Sequence, residues 1–238
     1  MFQRIAIVLF LSQAFCQAQR FADQIPQLKR YTQSEVYDSI NGIIIFNRLI
    51  ECLGGDSVKY NKAGYNTQGW TEEFYITGKM LHKGYYVDGK LKVFKNFYES
   101  GQVERSFVNP DPLHSSVDVF YDNGLPKKKI AYYEGKPQKY YEFYDTGLPK
   151  IAVENEKEMK YITLKKSWYS NGQMEYLIEL KDKKEKVFVE KKYYLNGQVR
   201  EEGTLRLSAD GKKYLKDGTW TFYDESGKNK KTEKFAEQ

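Results

Sequence analysis

Cysteine and histidine are both scarce in this chain of 238 residues. There are two of each, and Cys16 lies in a segment that we expect to be removed, so that Cys52 is left as a lone thiol. A lone thiol cannot form an internal disulfide or a cysteine-based zinc site, and two histidines are too few for a histidine-rich metal site. This scarcity disfavours metalloenzymes, thiol–disulfide enzymes and disulfide-stapled scaffolds, and we expect no metal and no cofactor.

Proline is also rare, and neither sign of charge dominates. With 6 Pro and 18 Gly, the chain is neither collagen-like nor a disordered Pro/Gly tract. Lysine and arginine total 38 against 32 acidic residues, which gives a net charge of +6. Because nucleic-acid binding usually needs clustered basic residues, this modest excess indicates solubility, and we expect no nucleic-acid partner.

Long apolar runs are limited to the first residues of the chain. Arg4 precedes the largely apolar run Ile5–Phe15, and a cut after Ala18 would have Cys16 three positions before it. This arrangement predicts a signal peptide over residues 1–18 and an exported mature protein, periplasmic, outer-surface or secreted. Such a run covers only about half of a ~30 Å bilayer core, so we expect no membrane span. A lipid anchor at Cys16 is the alternative, although the pattern needs a small residue where Phe15 stands.

Residues 19–66 precede the repeats and carry one helix-like pattern. Ser34 is a suitable N-cap, and Gly54-Gly55 suits the C-terminal end of a helix. Gly42 and the β-branched run Ile43–Ile45 weaken a helix and leave a strand as the competing interpretation. We predict a short helix that covers one end of a sheet, with an apolar face formed by Val36, Ile40, Ile43, Phe46, Ile50 and Leu53.

Aromatic residues are abundant, with 21 Tyr against 3 Trp, and they follow a repeating unit. The unit reads aromatic, Tyr, two turn residues and Gly, and a seventh copy, Phe222–Gly227, carries one extra loop residue. Regular self-similarity of this kind indicates a repeat protein. The structural turn glycines are Gly78, Gly101, Gly124, Gly147, Gly172, Gly197 and Gly227.

The unit predicts β-hairpins. Two turn residues followed by Gly suit a three-residue hairpin loop in which Gly is left-handed. A second set of turn signals lies between the units, at Asp88-Gly89, 109–112, Glu134-Gly135 and 181–183. Turns at this spacing leave room only for short strands. The expected fold is therefore mainly β, an elongated antiparallel meander of hairpins over residues 67–230, followed by a charged tail over 231–238.

Hairpin register assigns the two aromatic positions of each unit to opposite faces. The first aromatic faces an apolar residue across the hairpin, for example Phe120 opposite Pro126, so we predict that this position is buried. The following tyrosine then forms a half-exposed row, which we call the tyrosine ridge and take as the candidate binding surface. The alternative is that tyrosine fills these positions because it suits strands. The ridge comprises Tyr75, Tyr98, Tyr121, Tyr144, Tyr169 and Tyr194.

These units resemble the variant form of the MORN repeat, which runs approximately Tyr-x-x-Asn-Gly-x-hydrophobic with a later Gly-x-Trp-x-x-Tyr. The first half is matched by Trp168–Met174 and Tyr193–Val199, and the second half by Gly218–Tyr223. The resemblance covers about residues 70–230 and carries no catalytic motif. Bacterial proteins with such repeats are often labelled antitoxins of the YwqK type, which implies a protein partner, but repeats of this kind also occur in many exported proteins. The leader departs from the pattern of an intracellular antitoxin.

No set of side chains singles out a catalytic site, and we predict a protein that is not an enzyme. Glycoside hydrolysis needs two carboxylates about 5–9.5 Å apart, and nothing selects one pair among Glu72-Glu73, Asp118 and Glu142. His114 with Ser115 or Ser116 lacks a nucleophile elbow. We therefore expect an exported scaffold for protein–protein or envelope contacts. The alternatives are a glycan- or cell-wall-binding module that uses the tyrosine ridge, and an antitoxin-like protein that neutralises its partner.

Overall fold

The computed structural model describes residues 37–38, 42–43, 63–111 and 113–236. The predicted signal peptide and most of the predicted N-terminal helix lie outside these residues. Where that helix segment is described, Tyr37–Asp38 (β1) pairs antiparallel with Gly42–Ile43 (β2), so these four residues are strands and the helix prediction is wrong for them. Glycine is a weak helix former and Ile43 is β-branched, which favours the extended conformation.

The rest of the described chain forms one sheet of fourteen antiparallel strands in sequence order, which confirms the predicted meander. Its strands are β3 (Gly69–Phe74), β4 (Met80–Val87), β5 (Lys90–Phe97), β6 (Val103–Val108), β7 (His114–Phe120), β8 (Pro126–Tyr133), β9 (Lys136–Phe143), β10 (Pro149–Asn155), β11 (Ile162–Trp168), β12 (Met174–Asp182), β13 (Val187–Tyr193), β14 (Val199–Leu207), β15 (Tyr214–Tyr223) and β16 (Lys230–Phe235).

The last strand extends the sheet beyond the predicted boundary. Residues 231–235, which the sequence predicts to belong to a charged tail, form most of β16. An edge strand tolerates this composition because lysine side chains extend into water and, within the described sheet, the strand has a neighbour on one side only.

Turn chemistry accounts for the short connections. Asp88 and Gly89 have φ of 51° and 73°, and Glu134 and Gly135 have φ of 47° and 77°. Positive φ at both central residues is the geometry of a two-residue turn whose twist matches that of the flanking strands. The second set of turn signals is therefore confirmed at these two positions.

The predicted hairpin register is also confirmed. In each of the first six hairpins, the first aromatic lies opposite the second residue after the glycine, as Phe120 lies opposite Pro126. The register then shifts, so that the returning strand carries one extra residue, for example Leu81 between Met80 and His82. The other five pairs are Phe74–Met80, Phe97–Val103, Phe143–Pro149, Trp168–Met174 and Tyr193–Val199.

Beyond the shift, one cross-strand row passes through all fourteen strands. We call it the transverse row. Directly opposed residues in antiparallel strands place their side chains on the same face, so the row marks one face of the sheet, here called the inner face. Its members are Glu73, His82, Asn96, Arg105, Val119, Lys128, Glu142, Ile151, Ser167, Tyr176, Lys192, Glu201, Phe222 and Lys231.

Among the described residues, two clusters bring buried apolar side chains together. The N-terminal core contains Tyr86, Leu91, Phe94 and Phe107, with Val117 packed against it. The C-terminal core is built around five residues from β12 to β15 and the loop before β11, with more aromatic and aliphatic side chains packed against them. Its five buried residues are Tyr161, Ile178, Phe188, Leu205 and Trp220.

The sheet curls around the C-terminal core. The backbone N–H of Ile162 in β11 donates to the Tyr214 hydroxyl in β15 at 3.0 Å. Four strand spacings in a flat sheet would separate these strands by about 19 Å, which a tyrosine side chain cannot bridge. Gly203 permits the curl, because a Cβ at this residue would lie 2.3 Å from the Trp220 ring.

Candidate functional site

The loop of each unit has the predicted geometry. In the third unit, the Tyr121 N–H donates to the Leu125 carbonyl at 2.8 Å, and the Gly124 N–H donates to the Tyr121 carbonyl at 2.9 Å. The same two hydrogen bonds close the other five loops that begin with tyrosine. Gly124 has a φ of 82°, and all seven turn glycines have positive φ, as predicted.

The hydroxyl groups of the tyrosine ridge join neighbouring repeats. Each hydroxyl donates to a backbone carbonyl of the following unit, at 2.7 to 2.9 Å. The acceptor is the first aromatic residue of that unit and, in the seventh unit, Tyr223. These hydrogen bonds form beside the register shifts, where the regular ladder is interrupted. The pairs are Tyr75–Phe97, Tyr98–Phe120, Tyr121–Phe143, Tyr144–Trp168, Tyr169–Tyr193 and Tyr194–Tyr223.

The seventh unit differs by one position from its predicted alignment. Its loop closes at Asp224, whose carbonyl accepts the Gly227 N–H at 3.0 Å. Asp224 thus stands where the other units have tyrosine, and Tyr223 takes the place of the first aromatic. The strands of this hairpin pair without the register shift of the other six, so that Tyr223 lies opposite Lys230, the third residue after the glycine.

The first aromatic row is not the buried row that the sequence predicts, whereas five of the six ridge tyrosines are half-exposed, as predicted. Tyr75 is only 1 % exposed, whereas Phe74 is half-buried. In the next five units both aromatics are half-buried. Because side chains alternate along a strand, each tyrosine, two residues after a transverse-row residue, lies on the inner face with the cores, and the first aromatic lies on the outer face. Cross-strand apolar pairing alone did not reveal on which face of the sheet the two cores form.

The sequence indicates that the tyrosine hydroxyl has a role, although the prediction did not use this signal. The first aromatic position accepts Phe, Trp and Tyr, whereas the second is Tyr in all six units of the ridge. If only a large ring were needed in a strand, phenylalanine would serve as well. The restriction to tyrosine is explained by the inter-repeat hydrogen bond.

Lysine side chains cover part of the ridge. The ammonium of Lys127 lies 5.4 Å from the ring centre of Tyr121, and that of Lys150 lies 5.8 Å from the ring centre of Tyr144. Both distances fall within the range of cation–π attraction. The hydroxyls and part of the ring faces in the middle of the ridge are therefore engaged within the protein.

The candidate carboxylates do not form a catalytic pair. Glu73 and Glu142 belong to the inner face, whereas Glu72 and Asp118, each next to a transverse-row residue, belong to the outer face. Burial acts to raise the pKa of Glu142, but hydrogen bonds from Lys150 and Tyr140 at 2.9 and 2.7 Å hold that pKa below its usual value. Such a carboxylate remains ionised and does not suit a general acid.

The candidate Ser–His arrangement is not assembled either. The Nδ1 atom of His114 lies 3.0 Å from both carboxylate oxygens of Asp111. Ser115 follows His114 in β7, so its side chain points to the opposite face. Ser116 shares the face of His114, whose Nδ1 is engaged by Asp111 and whose ring packs against Tyr133 with the ring centres 5.2 Å apart. In the described ranges, no group of three or more His, Cys, Asp or Glu side chains is placed to hold a metal ion.

A second cross-strand row lies on the inner face, two residues further from the loops than the transverse row. The burial of its members shows which part of the inner face is exposed. It is buried at Phe94 and Phe107 near one end and at Ile178 near the other. Between them every residue from 116 to 151 is at least partly exposed. The half-buried members of this second row are Val117, Ile130, Tyr140 and Val153. Together with Lys128 and Glu142 of the transverse row, they form what we call the central surface.

Neither a protein-family model nor a curated protein matches the chain. Among the residues that the structure describes, no helix is long and apolar enough to cross a bilayer.

Proposed function

We propose that the chain is an exported, non-enzymatic protein of the MORN-repeat type that binds another protein through its central surface. The observation that supports this proposal is the exposure of one apolar row between two closed cores. Val117, Ile130, Tyr140 and Val153 continue the row of Phe94 and Phe107 but remain half-exposed. Apolar side chains presented on a rigid surface and bordered by charges are typical of protein-binding sites.

A glycan-binding role for the tyrosine ridge has less support. Sugar stacking needs open ring faces, and lysine ammoniums lie near the ring faces of Tyr121 and Tyr144. The ridge hydroxyls also donate to backbone carbonyls and so are not available as donors to a ligand.

Export is proposed from the leader pattern, and N-terminal sequencing tests it. We expect the exported protein to begin at Gln19. A protein that begins at Met1 and is recovered from the cytosol would contradict this part of the proposal.

The binding surface can be tested by site-specific photo-crosslinking in the native envelope. A crosslinking residue at Ile130, on the central surface, should capture one defined protein. The matched control is Lys129, the preceding residue, which is exposed on the outer face. Equal capture from both positions, or capture of polysaccharide and no protein at Ile130, would contradict the proposed role.

A further inference from the structure

The first aromatic position of the repeat changes its chemistry towards the C-terminal end of the sheet. It is phenylalanine in the first four units, then Trp168 in β11, Tyr193 in β13 and, in the realigned seventh unit, Tyr223 in β15. The later units therefore add an indole N–H and phenol hydroxyls to the row of rings on the outer face. The repeat itself does not require these groups, because phenylalanine occupies the same position in the earlier units.

The donors of Trp168 and Tyr193 are not used inside the described part of the chain. Both side chains are half-exposed, and neither the indole N–H nor the hydroxyl has a hydrogen-bond acceptor among the described residues. Tyr223 differs, because its hydroxyl donates to a carboxylate oxygen of Glu202 at 2.9 Å. Two neighbouring members of the row can therefore still donate a hydrogen bond to a ligand.

Apolar side chains lie beside the two rings. Trp168 lies opposite Met174 of β12, and Tyr193 lies opposite Val199 of β14. Leu177 is the next outer-face residue of β12, and all five side chains are half-buried. We call these five residues the outer patch. It combines apolar surface with two available donors, which is the composition typical of a binding site.

The spacing of the two rings matches one turn of a polyproline II helix. One strand separates β11 from β13, so equivalent residues lie about 9.5 Å apart. A polyproline II helix has three residues per turn and rises about 3.1 Å per residue, so every third side chain returns to the same side after about 9.3 Å. A segment that crosses the strands can therefore set one residue against Trp168 and the third residue after it against Tyr193.

The hydrogen-bonding groups are also complementary. A polyproline II helix has no internal hydrogen bonds and proline has no N–H, so a proline-rich segment offers mainly carbonyl acceptors. Trp168 and Tyr193 supply the donors. Proline-rich segments dock on surfaces lined by aromatic rings, and their preformed conformation lowers the entropy that is lost on binding.

An extended β-1,4-linked glycan has a similar repeat length but fits the outer patch less well. Its hydroxyl groups would lie against Met174 and Val199, whose side chains offer no hydrogen bond to a hydroxyl group. Covering a hydroxyl without a hydrogen-bond partner is unfavourable. The apolar residues beside the rings therefore favour proline rings over sugar rings.

We infer that the outer patch binds a proline-rich segment of another protein in the polyproline II conformation, with Trp168 and Tyr193 as its anchors. The segment runs across the strands along the row of first aromatics. The outer patch lies on the face opposite to the central surface, so this contact is independent of the protein partner proposed there.

Selection from displayed peptides tests the class of ligand. One library has proline at every third position and random residues elsewhere, and a control library has the same number of prolines at every fourth position. The unaltered protein should enrich peptides from the first library only. No enrichment, or equal enrichment from both libraries, would overturn the inference. Binding of a β-1,4-linked N-acetylglucosamine oligomer without enrichment of any peptide would overturn it in favour of a glycan.

Conservative variants test the position of the site. Trp168→Phe and Tyr193→Phe each remove a donor and keep a ring, and both should fold because phenylalanine is the residue of the earlier units. Fluorescence anisotropy with the most enriched peptide should show affinity weakened by about tenfold in each variant, the loss typical of one hydrogen bond. The matched control is Tyr223→Phe, whose hydroxyl is already engaged by Glu202, and it should bind like the unaltered protein.

The outcomes separate binding at the outer patch from binding elsewhere. Circular dichroism establishes that each variant is folded before its affinity is scored. Unchanged affinity in Trp168→Phe and Tyr193→Phe would place the peptide elsewhere and overturn the inference. A loss in Tyr223→Phe as large as in the other two variants would show that the two available donors are not the anchors.

Discussion

At the scale of single residues, the loop tyrosines show how one side chain can serve two purposes. The ring helps to cover the inner face, and the hydroxyl hydrogen-bonds the next repeat, as Tyr121 does to the Phe143 carbonyl at 2.9 Å. A hydrogen bond of this kind contributes about 0.5–1.5 kcal/mol, and the acceptor loses a partner when the hydroxyl is removed. The ridge is thus a stabilising element, whatever it binds.

Tyr121→Phe should therefore destabilise the protein by about 1 kcal/mol, because it removes the hydroxyl and keeps the ring. Urea unfolding followed by circular dichroism measures this change. The matched control is Tyr85→Phe, whose ring lies on the outer face and is more than a third exposed. A loss as large in the control as in Tyr121→Phe would contradict the role assigned to the ridge hydroxyls.

A buried carboxylate gives the protein a dependence on pH. Glu104 is almost fully buried, and its Oε1 atom lies 3.6 Å from a guanidinium nitrogen of Arg105. Burial raises the pKa of Glu104, although Arg105 acts in the opposite direction. The folded state thus disfavours the ionised form. Its contribution to stability is present in acid and is lost as the pH rises through the pKa of the folded state.

Glu104→Gln should stabilise the protein at neutral pH, by an amount on the order of 1 kcal/mol, since the buried charge is removed. The gain should disappear as the pH falls below about 4, where the glutamate is protonated in both folded and unfolded states. Urea unfolding at pH 7 and at acidic pH measures both quantities. A gain that is the same at both values would show that charge burial is not its cause.

At the scale of the hairpin, turn chemistry specifies the connection and the register together. Gly124 is left-handed, and a Cβ there would meet only Gln102 at an ordinary distance of 3.6 Å. A substitution at this position is therefore opposed by the backbone conformation and not by a clash. Side chains that are β-branched are the least compatible with that conformation.

Gly124→Val should destabilise the protein by more than about 1 kcal/mol, the cost of a left-handed conformation for a β-branched residue. Thermal melting followed by circular dichroism provides the measurement. Thr146→Val, in the next loop but at a position without positive φ, is the control and should change stability little. A neutral effect of Gly124→Val would show that the loop does not require its left-handed glycine.

The hairpins also show what the sequence can predict and what it cannot. The loop around Gly124 and the Phe120–Pro126 pair were predictable, because turn type and register depend on residues a few positions apart. The face that is buried was not, since it depends on how the whole sheet curls. The contact between Ile162 and Tyr214 joins residues 52 positions apart and leaves no local pattern. The central surface was missed for the same reason.

At the scale of the whole described sheet, the two cores are separated by residues 116–151, none of which is fully buried. Repeat proteins are stabilised mainly by contacts between neighbouring units, so that a local loss of stability stays local. The N-terminal core and the C-terminal core should therefore open separately. Each core can be weakened on its own through a buried phenylalanine.

Phe188→Ala should cost about 3–5 kcal/mol locally and speed hydrogen exchange in β12–β15 by about a hundredfold or more. Exchange in β4–β6, around Phe94 and Phe107, should change by less than about tenfold. Mass spectrometry of exchanged peptides measures both regions in one experiment. The reciprocal variant, Phe94→Ala, should affect the other region. Equal acceleration throughout the sheet would show a single cooperative unit.

The inter-repeat hydrogen bond also has a consequence for how the molecule can change in length. Each ridge hydroxyl reaches a backbone carbonyl, which every residue possesses, so that any unit can follow any other. Removing or duplicating one whole unit would leave every remaining donor with an acceptor. Each unit adds two strands, or about 9.5 Å of sheet. Gain or loss of whole units would therefore change the length of the sheet in steps of this size. The inter-repeat hydrogen bonds would stay the same.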